Sequence, residues 1–102
     1  MDRFVHPNLK DVSLAAALHA LADPTRLAIV ANLIECEAVN ASASCAGTPK
    51  STLSNHLNVL RSAGLVETSA EGRDRINRLR RKDFDARFPG LLDAILSARE
   101  AS

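Results

Sequence analysis

Thr48-Pro-Lys-Ser-Thr-Leu-Ser-Asn-His-Leu-Asn-Val-Leu-Arg-Ser-Ala-Gly64 is the stretch that decides how this chain folds. Thr48 followed by Pro49 predicts a helix start, because a hydroxyl caps free N–H groups and proline fits the first helical position, where its missing N–H has no partner. The residue before a proline is also pushed out of helical conformation, as a capping residue must be. Leu53, Leu57 and Leu60 form a narrow apolar stripe, and Gly64 supplies a stop. At 100° per residue, Ser51, Asn55, Asn58 and Ser62 then face away from the stripe, with Thr52 and Ser54 on its flanks. An unconstrained exposed helix favours Glu, Lys or Ala; this face is short, polar and hydrogen-bonding. That chemistry suits a major groove, where Asn pairs bidentately with adenine and Ser or Thr bonds a base edge or a phosphate. Lys50 opposes the helix dipole in the first turn, a conflict that a phosphate bound there removes. An ordinary surface helix is the alternative. His56 lies about 60° from the centre of the stripe, which fits a half-buried structural histidine or a base or phosphate contact equally.

Upstream, residues 36–47 are read as a short helix of small residues (Val39, Ala41, Ala43, Cys45), followed by a turn at Gly47. With the helix after it, this makes a helix-turn-helix over 37–63. Before it, Asp23-Pro24 starts a helix carrying Leu27, Val30, Ala31 and Ile34 and ending near Glu35. Leu14, Ala17, Leu18 and Leu21 place a first helix over about 12–21. Downstream, Leu65–Ser69, the Glu71-Gly72 turn and Arg73–Leu79 predict a hairpin within 65–80. A last helix over 83–101, starting near Asp83 or at Pro89, presents Phe88, Leu91, Leu92, Ile95 and Leu96, with Phe84 assigned to a preceding turn. The expected fold is mainly α with a small β-hairpin, a winged helix-turn-helix in one domain spanning 1–102.

At 102 residues, a single domain has a modest core that oligomerisation would help. A content of 46% hydrophobic and 25% charged residues is ordinary for a folded protein and argues against global disorder. No run of eighteen apolar residues occurs, and residues 1–11 contain no apolar signal core. Two cysteines are too few for a disulfide scaffold, so the expectation is cytoplasmic and nucleoid-associated, with no membrane partner. The net charge of +1 conceals an asymmetry. Residues 46–82 carry eight basic against three acidic side chains, while residues 1–45 carry three against five and residues 83–102 two against four. One basic segment between two acidic ones points to a localised polyanion-binding face, or to a solvated charged hairpin. Arg73 and Arg75, two apart in a strand, point to one side and suit a wing on a DNA backbone or minor groove. A solvated or internally paired role is favoured for Arg78, Arg80 and Arg81.

Three blocks taken together, Ala20-Leu-Ala-Asp-Pro-Thr-Arg-Leu27, Lys50-Ser-Thr-Leu-Ser-Asn-His-Leu-Asn-Val-Leu-Arg-Ser-Ala-Gly-Leu65 and Glu71-Gly-Arg73, resemble the ArsR/SmtB family of bacterial winged-helix repressors. The likeness spans about residues 13–82. It implies a homodimer joined through the first and last helices, binding a double-stranded operator and repressing a nearby promoter until an effector or thiol oxidation relieves it. The expected DNA contacts are Lys50, Ser51, Thr52, Ser54, Asn55 and His56, with Arg61, Arg73 and Arg75 on phosphates or in the wing. A protein-binding winged helix, its basic hairpin docked to an acidic partner, is the rival reading.

Metal-sensing relatives place a Cys-x-Cys pair where this chain has Ala38 and Asn40, and a second metal site uses a histidine on the last helix. Here the histidines are His6, His19 and His56, so no metal response through those sites and no cofactor is expected. Cys36 and Cys45 form a candidate redox pair; the alternative is two small residues filling a modest core. No enzyme is expected. Ser54 and His56, two apart on a helix, diverge, and no Gly-rich phosphate loop is present.

Overall fold

The computed structural model describes residues 6–35, 39–40, 50–72 and 74–101. Ser13 accepts the Ala16 N–H on its Oγ at 3.1 Å and opens α1 (Leu14–Ala20). Asp23 does the same for α2 (Pro24–Glu35), its Oδ2 accepting from the Arg26 N–H at 3.0 Å. α3 (Lys50–Ser62) follows the leucine stripe and ends on a left-handed glycine. Leu65 N–H bonds Leu60 C=O and Gly64 N–H bonds Arg61 C=O, the paired closure of a glycine-terminated helix. Gly64 has φ 75°, a backbone conformation that favours glycine, and a Cβ there would come within 2.8 Å of Leu9 Cδ1, so the leucine would also have to shift.

β1 (Val39–Asn40), β2 (Val66–Glu71) and β3 (Asp74–Leu79) form an antiparallel sheet in the order β1-β3-β2. The β2–β3 ribbon runs in register from Val66↔Leu79 out to Glu71↔Asp74 at the tip. α4 (Arg81–Arg87) and α5 (Leu91–Ala101) complete the described chain.

Ala17, Ala20, Ile29, Val30, Leu60, Leu65, Val66, Phe84 and Leu92 are fully enclosed, and Leu53 and Leu57 nearly so. The apolar edge of α3 therefore sits against α2 and the sheet, and its opposite side is left outward. No single helix among the described residues is long and apolar enough to cross a membrane.

Two expectations are corrected. The short helix over 36–47 is replaced at Val39 and Asn40 by a strand paired with Asn77 and Ile76; the rest of that segment, with Cys36 and Cys45, lies outside the described residues. An alternation of small and polar residues serves an edge strand as readily as a helix, and here β3 provides the pairing. The single last helix is two. Phe88 (φ −128°, ψ 75°) leaves helical geometry ahead of Pro89, and Gly90 turns the chain at φ 77°. Phe84 is consequently not in a turn but on α4, wholly buried, its ring 5.1 Å from that of Phe88.

Candidate nucleic-acid interface

The outward side of α3 carries Ser54, Asn55, Asn58 and Ser62, all exposed, over the buried Leu53, Leu57 and Leu60. Lys50, Ser51 and Thr52 form the first turn of the same helix. The N–H groups of a first helical turn have no partner within the helix itself.

A cluster at the α1–α2 junction holds α3 in place. Arg26 donates from Nε to Ala20 C=O at 2.7 Å and from Nη2 to His19 C=O at 3.1 Å. Its Nη1 reaches His56 Nδ1 at 3.3 Å, with Asp23 Oδ2 3.9 Å from the same nitrogen. His56 is thus half-buried and turned toward Arg26. Asp23 has its carboxyl held below the usual range by the Arg26 N–H, with the charges of Arg26 and His56 adding to the effect against a burial penalty. Sequence reasoning found the Asp23 cap but missed Arg26, whose partners lie 6, 7 and 30 positions away.

A second set of bonds joins α3 to the ribbon. Arg61 Nη1 donates to Thr68 Oγ1 at 3.1 Å and Nη2 to Asn58 Oδ1 at 2.9 Å. Thr68 donates in turn to Asn77 Oδ1 at 2.7 Å, both side chains being buried. Burial pushes the Arg61 guanidinium below its ordinary value, and the charge of Arg75 adds to this; an arginine nevertheless stays protonated. Arg75 lies two positions from Asn77 on β3, hence on the same face of the ribbon, and is exposed. Arg61 and Arg75 therefore concentrate positive charge between α3 and the wing. Arg73 lies outside the described residues.

The remaining arginines of the basic segment are internally engaged, as expected. Arg78 donates to Ser69 Oγ at 3.1 Å, Arg80 to Pro7 C=O at 2.9 Å, and Arg81 pairs with Asp85 and Asp93.

A family model described as a helix-turn-helix domain matches residues 21–69. No curated protein matches the chain. Among solved structures, the transcriptional repressor BigR from Xylella fastidiosa is 30% identical, covering 83% of this chain and 84% of that one, with a TM-score of 0.65. An ArsR-like transcriptional regulator from Rhodococcus sp. RHA1 is 29% identical with 86% of both chains covered, also at TM-score 0.65. NolR from Sinorhizobium fredii is 26% identical, covering 99% of this chain and 95% of that one at the same TM-score.

Proposed function

The chain belongs to the ArsR/SmtB family of winged helix-turn-helix regulators, and from that premise we propose that this DNA-binding regulator is an effector-relieved repressor acting as a homodimer on a palindromic operator. The observation that carries the reading is the exposed Ser54–Asn55 side of α3, backed by buried leucines and bonded to a cationic ribbon. Rigidly mounted short polar groups reach base edges; long arginines beside them neutralise phosphates.

In this reading Lys50, Ser51, Thr52, Ser54 and Asn55 enter the major groove, and Arg61, Arg73 and Arg75 serve the backbone. His56 supports the helix from behind. Leu14 and Leu18, 51% and 44% exposed on α1, are large apolar side chains that a second copy would cover together with α5. A two-fold dimer sets the two α3 helices on half-sites about 10–10.5 base pairs apart.

Fluorescence anisotropy with duplexes tiling the region beside the chain's own gene tests this. One fragment is expected to bind far more tightly than random duplex, with affinity falling steeply with salt. Equal affinity for every duplex at matched salt overturns operator recognition and favours the protein-binding alternative. Raised transcription from that promoter on adding the protein overturns repression.

A further inference from the structure

Beyond the DNA-facing side, the molecule has a cleft of about 560 Å³ between the N-terminal segment 6–12 and α4. That size lies within the range of small-molecule sites. A second groove, beside α3, is lined by Ala16, Asn55, Asn58, Val59, Ser62 and Ala63 and has no charged group to select a ligand. The cleft differs: Lys10, Arg80 and Arg87 line it together with His6 and Asn8, against a single carboxylate, Asp83.

Those cations are unevenly compensated. Arg80 Nη2 lies 3.5 Å from Asp83 Oδ2. Among the described residues no ion pair joins Lys10 or Arg87 to a carboxylate. The two guanidinium groups are also fixed. Arg87 donates from Nε to Leu9 C=O at 3.0 Å and from Nη2 to Val12 C=O at 3.2 Å, and stacks 4.8 Å from the centre of the Phe88 ring. Arg80 is held by Pro7 C=O at 2.9 Å. Backbone carbonyls thus orient both groups without neutralising them, and each keeps N–H donors in reserve from its five. Preorganised donors around a small cleft, with Arg80 shared with Asp83 and Lys10 and Arg87 without a carboxylate partner among the described residues, are what an oxyanion requires.

The same cleft is linked to the reading helix. His6 Nε2 accepts the Thr68 N–H at 3.0 Å on β2. Thr68 bonds Arg61, and Arg61 bonds Asn58 on the outward side of α3. A group that braces or displaces segment 6–12 therefore acts on a continuous set of hydrogen bonds ending where DNA is read.

We infer that the cleft bounded by Lys10, Arg80 and Arg87 binds a small carboxylate- or phosphate-bearing molecule and is the effector site of this regulator. The effector role rests on the repressor reading above; the binding site does not. A ligand shifts DNA affinity only through different contacts in the free and DNA-bound forms, and in this proposal the His6–Thr68 bond is the contact that a bound anion would alter.

The test titrates the full-length protein with sodium phosphate and, separately, sodium succinate, using sodium chloride at matched ionic strength as the reference. Backbone amide shifts are followed by NMR. Saturable shifts are expected in residues 6–12 and 80–87 and not with chloride; the stronger probe identifies the phosphate or carboxylate class. Lys10→Gln, at an exposed position, and Arg87→Gln are each expected to weaken binding about tenfold, the effect of losing one charge-assisted contact. Operator affinity is then measured on the same samples. The stronger probe is expected to lower it several-fold in the parent protein and not in Lys10→Gln.

Absence of saturable shifts with both probes, or saturation unchanged in Lys10→Gln and Arg87→Gln, overturns the site. Saturation in the cleft with operator affinity unmoved overturns its effector role. If Lys10→Gln weakens operator binding without any added anion and phosphate does not saturate, the cleft holds DNA backbone instead, and the inference fails. Saturation in a protein that binds no duplex leaves the site standing and removes the regulator reading alone.

Discussion

The outward side of α3 and the β2–β3 ribbon are joined by the Arg61–Thr68 bond, yet they are made of opposite materials. α3 offers short polar groups, Ser54 and Asn55, on a helix fixed along its length by Leu53, Leu57 and Leu60. The ribbon offers Arg75, a long cation on a two-stranded projection whose buried anchor, Thr68–Asn77, lies at mid-strand rather than at the tip. A short group on a rigid mount has few geometries and can discriminate among base edges. A long charge on a slender mount reaches phosphates in many geometries and discriminates little. The difference teaches which part sets sequence preference and which sets affinity and its salt dependence.

Removing the rigid mount is expected to have the largest effect. Leu60 has no exposure and closes the C-terminus of α3 through its carbonyl. Leu60→Ala leaves a cavity between α3 and the sheet and is expected to cost about 2–5 kcal/mol of stability by urea denaturation. A loss below 1 kcal/mol would mean that α3 is not anchored as described. Asn55→Ala leaves the mount and removes the reader. Its expected effect is about 1–3 kcal/mol of lost discrimination at one base position, seen as a changed ranking of operator variants. An unchanged ranking removes Asn55 from the base-contacting set.

The two regions also differed in how far the sequence disclosed them. α3 was legible almost residue by residue, because a leucine repeat and a terminal glycine are local signals that agree, while the expected cap at Thr48 and Pro49 lies outside the described residues. The ribbon was legible as a hairpin from Glu71-Gly72, with its strands displaced by one or two residues. β1 was not, since a two-residue strand exists only by virtue of β3, more than thirty positions away. The break at Phe88–Gly90 was half-legible: both candidate starts for the last helix, Asp83 and Pro89, carried real signals, one for each helix. What holds the site together was least legible. Arg26 reaches His56, and His6 reaches Thr68, through contacts that no local pattern encodes. For Arg78, Arg80 and Arg81 a solvated or internally paired role was the favoured reading, but a partner such as Pro7 C=O for Arg80 is encoded by no local pattern.

The support behind α3 gives a smaller and pH-dependent effect. Asp23→Ala removes the cap of α2 and loosens the group around Arg26 and His56, at an expected cost of about 1 kcal/mol at neutral pH. The Asp23 carboxyl is held below its ordinary value of 3.8 in the folded protein. The folded state therefore binds that proton less readily than the unfolded chain does. The stabilisation is complete above the ordinary value and is lost as pH falls through it toward the lower folded value. Urea midpoints of the parent and variant should accordingly differ at pH 7 and draw together below pH 3.8. A gap that stays constant on acidification would assign the effect to packing and not to the carboxylate.

The least disruptive change tests the ribbon alone. Arg75 is exposed, so Arg75→Ala should leave the urea midpoint nearly unmoved. Each neutralised phosphate contributes roughly 0.9 to the slope of log affinity against log salt, so the variant's slope should flatten by about one. The order of preference among operator variants should stay as it was, because a backbone contact carries no base information. Arg73→Ala should behave in the same way. If Arg75→Ala instead reorders the operator variants, the ribbon reads sequence, and the division of labour between helix and wing does not hold.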